Sequence, residues 1–552
     1  MADLARRIAV ARGDEPADLV LTGGRVLSVF TREWLEAGVA IVDGWIAGLG
    51  DYEGGETIDV SGKYVVPGFI DAHMHLESTK LLPDEFARLV LPLGTTAVVA
   101  DPHEIANVLG ADGVHWLVDF CADLPLDVYF MAPSCVPASP FESPRSPITD
   151  ADLESLMARD RVLGLGEMMN FPGVVSGDAR ELSKLALRGA EHADGHAPSL
   201  AGLDLNAYAA SGIRSDHEAL TLEEGRERLR AGIWLLVREA SMARSLVALA
   251  PLVREFGPSQ IAFCTDDRDP DDIVDDGHIN GMVRKAVAAG VAPADAIVCA
   301  SFNPARWHGL SHLGALAPGY QADVLVLPDL ESFRPELVLK AGRRLGEFAR
   351  PDVPEWVQQS VRIAPVPHDG FAVPECERVR AIGLVPDQVV TESLVVDRNA
   401  SDLAKIAVVE RHHATGRIGL GFVHGSGMQR GALASTVAHD AHNIVVLGTA
   451  DDDMLAAVEA VVALGGGIVA VDGGRVVAQC PLPVAGLFSL ATLDEVIAQT
   501  RECNDAAHAM GWSGATPFLT MSFLGLSVIP SLKITDQGLV DVERFELVPL
   551  CC

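Results

Sequence analysis

Between residues 64 and 307, short apolar runs alternate with longer segments in which apolar residues recur at helical spacing. Apolar runs of this length, bounded by polar residues, Gly or Pro, are typical of buried strands. Strands that alternate with helices predict βα units and a parallel sheet. We predict eight such strands, at 65–71, 95–101, 128–134, 162–168, 192–198, 213–218, 233–239 and 261–267.

Eight successive βα units predict a (β/α)8 barrel, whose active site lies at the C-terminal ends of the strands. A doubly wound sheet also alternates strand and helix. However, the G-x-G-x-x-G turn of dinucleotide-binding sheets does not follow the first run. We therefore favour the barrel.

Turn-rich strand patterns flank the barrel region on both sides. Residues 18–60 contain short apolar runs broken by Gly-Gly and Asp-Gly hairpin signals, and the same pattern returns after residue 310. A Pro-rich stretch then precedes a region of apolar strands with one helix near 451–464. We predict a small β-sandwich from 1–64 and 310–350, the barrel at 65–309, a linker at 351–374, and a C-terminal α+β domain at 375–552.

Charge and cysteine content narrow the function classes. The 552-residue chain carries a formal charge of −34, a field that repels phosphate backbones and anionic membranes. We therefore expect neither a nucleic-acid nor a membrane partner. Nine cysteines without a C-x-x-C pair predict reduced thiols in a cytoplasmic protein, not a disulfide framework or zinc ribbon. Neither a secretory signal nor a membrane-spanning run is expected, and a homodimer is the commonest assembly.

The first candidate metal ligands lie in P-G-F-I-D-A-H-M-H-L-E-S (67–78), at the end of the first predicted strand. Side chains at i and i+2 of a strand point to the same face, so Asp71, His73 and His75 should project together. Two imidazoles beside a carboxylate can begin a divalent metal site. Two surface histidines at a strand end are the alternative.

The ends of other predicted strands supply further ligand types. Glu167 ends the fourth run, His196 the fifth, His217 the sixth and Asp266 the eighth. Because these ends meet at one edge of a barrel, we expect the side chains to converge. Four histidines and two carboxylates exceed the needs of one tetrahedral ion. The sequence therefore predicts a two-metal site bridged by Glu167.

Additional polar residues near strand ends are weaker candidates. His103 and Glu104 should reach the pocket mouth in a substrate or proton-transfer role, or form a structural turn. Arg238 and Glu239 could hydrogen-bond a substrate or form an internal salt bridge. Asn170 could support the bridging glutamate. In the acidic loop at 266–276, we expect all but the first two acids to be solvated.

The C-terminal region contains one unusually polar segment between apolar runs, His439-Asp440-Ala441-His442-Asn443. An accessory metal site, a lid over the barrel mouth and a hydrogen-bonded turn are all compatible with it. The pattern alone does not choose among them.

The ligand order and its neighbouring motifs resemble those of bacterial adenine deaminases in the amidohydrolase superfamily, including the use of Glu167 where many members have a modified lysine. The resemblance covers nearly the whole chain. Thr79 and Ser199 stand where the family pattern leads us to expect Ser and Gly, but neither is a ligand position. The matching motifs include D-P-H-E-I-A-N-V (101–108), G-L-G-E-M-M-N-F-P-G-V (164–174), D-G-H-A-P, G-I-R-S-D-H-E, C-T-D-D-R, S-T-V-A-H-D-A-H-N (435–443) and L-K-I-T-D-Q-G-L-V-D-V (532–542).

This resemblance implies hydrolysis of adenine to hypoxanthine and ammonia, a reaction of purine salvage. It implies two divalent ions, with manganese or iron favoured and zinc possible, that share a hydroxide for attack on C6. Asp266 would move the proton to the leaving amino group. His103 and Glu104 are the further catalytic candidates, and Asn170, Arg238 and Glu239 are the substrate-binding candidates.

For each of three alternative functions, one sequence feature argues against it. Amidohydrolases of cyclic amides usually carry the modified lysine on strand four, so Glu167 argues against them, although another 6-substituted purine stays open. The cytidine-deaminase class needs P-C-x-x-C, which the sequence lacks. A non-catalytic scaffold should have lost ligands, whereas all six ligand positions are filled.

Overall fold

The computed structural model describes residues 2–187, 189–386 and 388–552, and its central element is a barrel of parallel strands. Five strands pair in one sheet and three in a second, and a parallel bridge between Met74 and Asp266 joins the first strand to the end of the last. The predicted barrel is therefore confirmed. In the described chain the barrel strands are Phe69–Met74, Thr95–Ala100, Asp127–Ala132, Val162–Met168, Ala193–Gly195, Ser215–Asp216, Trp234–Arg238 and Ile261–Cys264.

Helices follow the strands and bury apolar faces against them. Two of them, starting after Thr149 and Thr221, begin with capping boxes, in which the threonine and the third helical residue satisfy each other's backbone N–H groups. The helices of this region are Pro83–Val90, His103–Phe120, Asp150–Met157, Phe171–Ser176, Ala179–Leu185, Gly202–Ala210, Leu222–Arg230, Leu246–Phe256, Pro270–Asp276, Ile279–Ala288, Pro293–Ala300 and Phe302–Trp307.

The predicted first strand, 65–71, is in fact two strands. Tyr64–Pro67 belongs to the small β-sandwich, and Phe69–Met74 begins the barrel. The break falls at Gly68, where a Cβ atom would lie 2.2 Å from Thr96 Oγ1, so only glycine fits this close approach. The fifth and sixth strands are also shorter than predicted because their polar, ligand-bearing ends leave the sheet as loops.

The small domain is a β-sandwich of two sheets built from both flanks of the barrel. Leu21, Ile41, Val65 and Val326 pack between the sheets, as alternating apolar positions require. Helix Ala2–Ala11 precedes it. In strand order, one sheet contains Trp45–Gly50, Gly38–Val42, Ala17–Thr22 and Gly54–Asp59, and the other Arg343–Arg344, Leu337–Lys340, Val324–Leu327, Tyr64–Pro67, Arg25–Ser28 and Glu33–Glu36.

The C-terminal domain is organised around a large mixed sheet. Residues 351–374 lead into it with one short 3-10 helix, Glu355–Gln358. In order, the sheet contains Thr391–Asp397, Arg378–Leu384, Ile418–His424, Leu403–Val409, Ile444–Gly448, Ala432–Ser435, Gly467–Asp472 and Arg475–Pro481. Helices Asp451–Ala463, Leu493–Ala509 and Pro517–Ser522 and strands Leu532–Thr535, Gly538–Asp541 and Glu546–Val548 complete the domain.

The expectation that no cysteines pair is wrong at one position. Cys376 and Cys551 form a disulfide, with Cα atoms 5.9 Å apart. A bridge between Val379 and Cys551 brings the chain end beside the strand that follows Cys376. The separation of 175 residues hides this pairing in the sequence. Within the described ranges, the other cysteines are unpaired. Among the described helices, none combines the length and apolar character needed to cross a bilayer.

The C-terminal domain packs against the barrel at the ends of its strands. Ser489 N donates to Lys80 O at 2.8 Å, and Asn443 Nδ2 donates to Ser143 O at 3.3 Å. Leu493 N donates to Glu85 Oε2 at 2.9 Å. These contacts surround the edge of the barrel where the predicted ligands lie.

Candidate metal centre and active site

Glu167 occupies the centre of the site, at the end of the fourth barrel strand. Its Oε1 lies 3.4 Å from His75 Nε2 and 3.9 Å from His73 Nε2. Its Oε2 lies 2.9 Å from His196 Nδ1 and 3.3 Å from His217 Nε2. One carboxylate thus faces two different pairs of histidines, which is the arrangement that a bridging ligand requires.

The histidines of the first strand are oriented by the backbone. His75 Nδ1 is 2.9 Å from Asp101 O, a contact that directs Nε2 towards the centre. His73 stacks on His217 with ring centroids 4.3 Å apart. Asp101 also accepts a hydrogen bond from Glu167 N at 2.7 Å, so one buried residue positions both sides of the site.

Asp71 does not join the ligands, contrary to the expectation from strand alternation. Its side chain accepts hydrogen bonds from Thr265 N at 3.1 Å and Thr265 Oγ1 at 2.5 Å. Its other buried neighbour is His278, whose Nε2 lies 3.3 Å away. Asp71 therefore links the first barrel strand to the end of the last and is not among the side chains that converge on Glu167.

Asp266 closes the ligand set from the end of the eighth strand. Its Oδ1 lies 3.0 Å from His75 Nε2 and 3.6 Å from His73 Nε2. Its Oδ2 accepts a hydrogen bond from Arg238 Nη1 at 2.8 Å. The backbone here is left-handed, with φ of 58°, a conformation that is uncommon outside glycine and often marks functional positions.

Both central carboxyl groups are held in the charged form. Burial raises the pKa of Glu167, but hydrogen bonds from His196 and His217 outweigh burial and hold that pKa well below its usual range. Burial also raises the pKa of Asp266, but the charge of Arg238 and the histidine hydrogen bonds lower it well below the usual value. Both side chains are therefore acceptors at neutral pH.

The donor set fits divalent metal ions. His73 Nε2 is buried and has no hydrogen-bond partner in the part of the chain that the structure describes. Two groups of side chains, each with possible ligand atoms within 4.8 Å of one another, share this residue: His73, His75 and Asp266, and His73, Glu167 and His217. Imidazole and carboxylate together suit manganese, iron or zinc.

Glu218 is a site residue that the sequence reasoning missed. It is buried, lines the cavity, and forms a two-point ion pair with Arg238, of which the Nη2–Oε2 distance is 3.0 Å. Its Oε1 lies 3.4 Å from His217 Nε2. Strand alternation predicts opposite faces for His217 and Glu218, but the strand ends at Asp216 and the alternation ends with it. The available signal was the adjacent D-H-E.

The predicted substrate-binding residues divide into two groups. Arg238 lines the cavity. Glu239 instead pairs with Lys285 at 2.9 Å, and Asn170 caps helix Phe171–Ser176 by accepting from Gly173 N at 3.1 Å. Among the described residues, neither Glu239 nor Asn170 contributes to the cavity wall. The Asn170 amide and Glu239 Oε1 are engaged in structural contacts with Gly173, Glu181 and Lys285.

His103 and Glu104 begin the helix after the second strand and diverge from each other. His103 lines the cavity, with Nδ1 3.5 Å from Glu167 Oε1. Glu104 is buried behind it and accepts from Ser78 Oγ at 3.1 Å. Its two oxygens face His439 and His442, at 3.5 Å and 3.6 Å. The polar C-terminal segment therefore lies at the mouth of the barrel.

The cavity has a polar floor and a largely apolar wall. The floor consists of all the candidate ligands except His73, together with Glu218 and Arg238. Two polar groups of the C-terminal domain, His439 and Asp440, face it. The apolar wall comes from barrel loops and from the C-terminal domain. Its members are Met169, Met242, Val389, Phe523, Leu526 and Ile529.

Comparisons with known proteins agree with this architecture. Residues 64–345 match the amidohydrolase family, and residues 384–546 match the adenine deaminase C-terminal domain. Proteins named adenine deaminase 2 in Carboxydothermus hydrogenoformans and adenine deaminase in Methanothrix thermoacetophila are each 44% identical over 98% of both chains. The adenine deaminase of Brucella anthropi is 44% identical over 99% of this chain and all of its own.

A crystal structure of an adenine deaminase is 16% identical, covers 60% of this chain and all of its own, and superposes with a TM-score of 0.47. The two family matches together span the barrel, the returning part of the sandwich and most of the C-terminal domain. This chain belongs to the adenine deaminase family of the amidohydrolases.

Proposed function

We propose that this protein hydrolyses adenine to hypoxanthine and ammonia. The proposal depends mainly on the position of Glu167. Each of its carboxylate oxygens faces a separate pair of histidines, at N–O distances of 2.9–3.9 Å. Relatives named adenine deaminase that match nearly the full chain support the same substrate. An acidic protein with a small cavity lined by buried residues also suits a neutral free base better than a nucleic acid.

Six residues would hold two divalent ions, for which manganese or iron is favoured and zinc is an alternative. Bound there, the ions would supply the Lewis acidity that makes water a nucleophile near neutral pH. The proposed ligands are His73, His75, Glu167, His196, His217 and Asp266.

Asp266 is the proposed proton carrier. Arg238 occupies its Oδ2, which leaves Oδ1 turned towards His73 and His75, where the reacting water would lie. Oδ1 would accept a proton from that water and deliver it to the amino group on C6 as ammonia leaves. Glu218 holds the other side of Arg238, so the guanidinium keeps the carboxylate in one orientation.

His103 is the proposed second proton-handling group. It lines the cavity, is outside the proposed ligand set, and lies between Glu167 and Asp440. As C6 becomes tetrahedral, negative charge develops on the purine ring nitrogens, and a donor at this position would stabilise it. Glu104 acts behind the cavity by holding the C-terminal segment.

We further propose a cytoplasmic, homodimeric enzyme of purine salvage. Seven of the nine cysteines are unpaired among the described residues, and this majority supports a reducing compartment despite the Cys376–Cys551 pair. The dimer rests on the prevalence of two-fold assemblies. A salvage role follows from the chemistry, because the product is again a free purine base.

The direct test is ammonia release by protein reconstituted with manganese or iron. The substrates should include adenine, 6-substituted purines, guanine and a cyclic amide. We expect ammonia from adenine at a kcat/KM at least about a hundredfold above that for the cyclic amide. Ammonia from the cyclic amide with none from adenine would overturn the substrate assignment.

A further inference from the structure

One carboxylate in the cavity is supplied by the C-terminal domain and is not used by the proposed mechanism. Asp440 is 1% exposed, and its Oδ1 lies 3.6 Å from His103 Nε2. Its Oδ2 has no hydrogen-bond partner among residues 2–187, 189–386 and 388–552. An unpaired buried carboxylate oxygen costs free energy, so its position on a cavity wall indicates a ligand that donates a hydrogen bond there.

The chemistry of adenine restricts what this donor can be. Adenine carries N–H groups in two places only, the amino group on C6 and the single N–H of the imidazole ring. The amino group leaves during the reaction, so it must lie beside Asp266 and Glu167. An ionised carboxylate accepts hydrogen bonds and does not donate them. The group that remains for Asp440 is the imidazole N–H.

We propose that Asp440 accepts the imidazole N–H of adenine and thereby selects the free base over its nucleosides. The inference rests on the proposed adenine deamination and adds a specificity-determining residue to it. A nucleoside carries its sugar on N9 and presents only a lone pair at N7. Neither nitrogen then has a proton to donate, so Asp440 would stay unpaired. A buried polar group that loses its partner discriminates strongly against the analogue.

The segment that carries Asp440 is anchored from both sides. His439 stacks on Phe523, with ring centroids 4.7 Å apart and planes within 9°. Asn443 Oδ1 accepts from Arg411 N at 3.0 Å, while Asn443 Nδ2 reaches the barrel residue Ser143. Such anchoring gives Asp440 a fixed position relative to the metal ligands, as recognition of one ring edge requires.

Hydrogen bonding also argues against a third metal ion as the purpose of this segment. Glu104, His439 and His442 lie close enough to form a ligand set. However, His442 Nδ1 accepts a hydrogen bond from Ala438 N at 3.1 Å, so the ring proton belongs on Nε2. That nitrogen faces Glu104 Oε2 at 3.6 Å as a donor. These residues support the wall that carries Asp440.

The cavity wall fits a bare heterocycle. Phe523, Leu526 and Ile529 come from the same domain as Asp440 and are buried. They offer apolar surface to a flat ring but no hydrogen-bonding groups for the hydroxyls of a sugar. A substituent on N9 would therefore enter an apolar wall that cannot satisfy it.

The first test uses the unmodified holoenzyme and compares adenine with 9-methyladenine, which keeps the amino group but has no imidazole N–H. We expect kcat/KM to fall at least about a hundredfold for 9-methyladenine. Equal use of the two substrates would overturn the role of Asp440. This comparison does not depend on the folding of any variant.

The second test separates hydrogen bonding from steric exclusion. In Asp440→Asn, the side-chain amide can donate to the N7 lone pair of 9-methyladenine. We expect the ratio of kcat/KM for adenine to that for 9-methyladenine to fall at least about tenfold, mainly through opposite changes in KM. The matched control is Asp453→Asn, a buried aspartate of the same domain outside the cavity, which should keep the wild-type ratio.

The outcomes distinguish this inference from the function on which it rests. Wild-type protein that releases no ammonia from adenine would overturn both. Wild-type protein that uses adenine, together with an unchanged ratio in folded Asp440→Asn, would overturn the role of Asp440 and leave adenine deamination intact. Circular dichroism and metal content of the variant establish that it is folded.

Discussion

The two sides of the cavity are built on different principles. The barrel side presents histidines and carboxylates from the ends of separate strands, and a barrel brings such ends together whatever their separation in sequence. The C-terminal side presents an apolar wall and one polar segment, held by contacts specific to this pair of domains. We therefore expect the barrel side to supply reactivity. We expect the C-terminal side to supply selectivity.

The largest predicted effect is on the barrel side. Replacing Glu167 with Ala removes the carboxylate that both histidine pairs face, so kcat for adenine should fall at least about 10³-fold. Steady-state ammonia release with metal in excess measures this. The control Glu181→Gln alters a buried glutamate that pairs with Lys184 and should stay within about threefold of wild type. Near-normal turnover by Glu167→Ala would refute the bridging role.

A second substitution on the barrel side tests how the Asp266 carboxylate is oriented, not whether a metal ligand is present. Arg238→Met leaves Asp266 in place but removes the guanidinium that holds its Oδ2. Because misplacement of a reacting group by about 1 Å can cost about 10²-fold, we expect kcat to fall by about that factor with a smaller change in KM. Arg244→Met, in the loop that follows the strand ending at Arg238 and partly exposed, is the matched control. A pure KM effect in Arg238→Met would assign that arginine to binding instead.

On the C-terminal side, Phe523→Ala should change affinity more than chemistry. The ring lines the cavity and supports His439, so we expect KM for adenine to rise about tenfold while kcat changes less. Phe518→Ala removes an equally buried ring of the same domain that lies outside the cavity. Both variants should lose about 3 kcal/mol of stability, but only the first should change KM. Equal KM values would show that the wall does not contact substrate.

The smallest predicted effect is on stability at low pH. It concerns His412, which supports the C-terminal side of the cavity. Burial and the charge of Arg411 lower the pKa of His412 to about 3, and its Nε2 lies 2.7 Å from Ala441 O. Its pKa in the unfolded chain is higher, so His412 contributes stability above about pH 6.5 that is lost as pH falls towards 3.

Urea unfolding at pH 7.0 and pH 5.5 measures this contribution. The free energy of unfolding should decrease by up to about 1.4 kcal/mol per pH unit more in the wild type than in His412→Gln. His508 is an exposed histidine of the same domain and provides the control. His508→Gln should keep the wild-type pH dependence of the free energy of unfolding. Identical pH dependence in the wild type and His412→Gln would contradict a neutral, buried His412.

The sequence indicated the barrel side better than the C-terminal side for a physical reason. Strand periodicity and parallel topology together identify which residues share the barrel edge, and the structure brings His73, Glu167 and Asp266 together there. Periodicity fails where a strand ends early, as it does before Glu218, or where a strand-end acid bonds across the barrel, as Asp71 does.

Contacts between distant segments leave no local pattern. The position of Asp440 opposite His103 depends on packing between the barrel and a domain more than 300 residues further along the chain. The pairing of Cys376 with Cys551 is hidden for the same reason. Sequence did show that 439–443 is unusually polar, but only the structure identifies which cavity the segment faces.

The central claim is that Glu167 joins two ion positions into one site. Its most direct measurement is the metal content of the protein after reconstitution with manganese or iron and removal of free ions. The account predicts about two ions per chain in the wild type, and one or fewer in Glu167→Ala, with Glu181→Gln unchanged. A single ion in the active wild type, or two retained ions in Glu167→Ala, would contradict it.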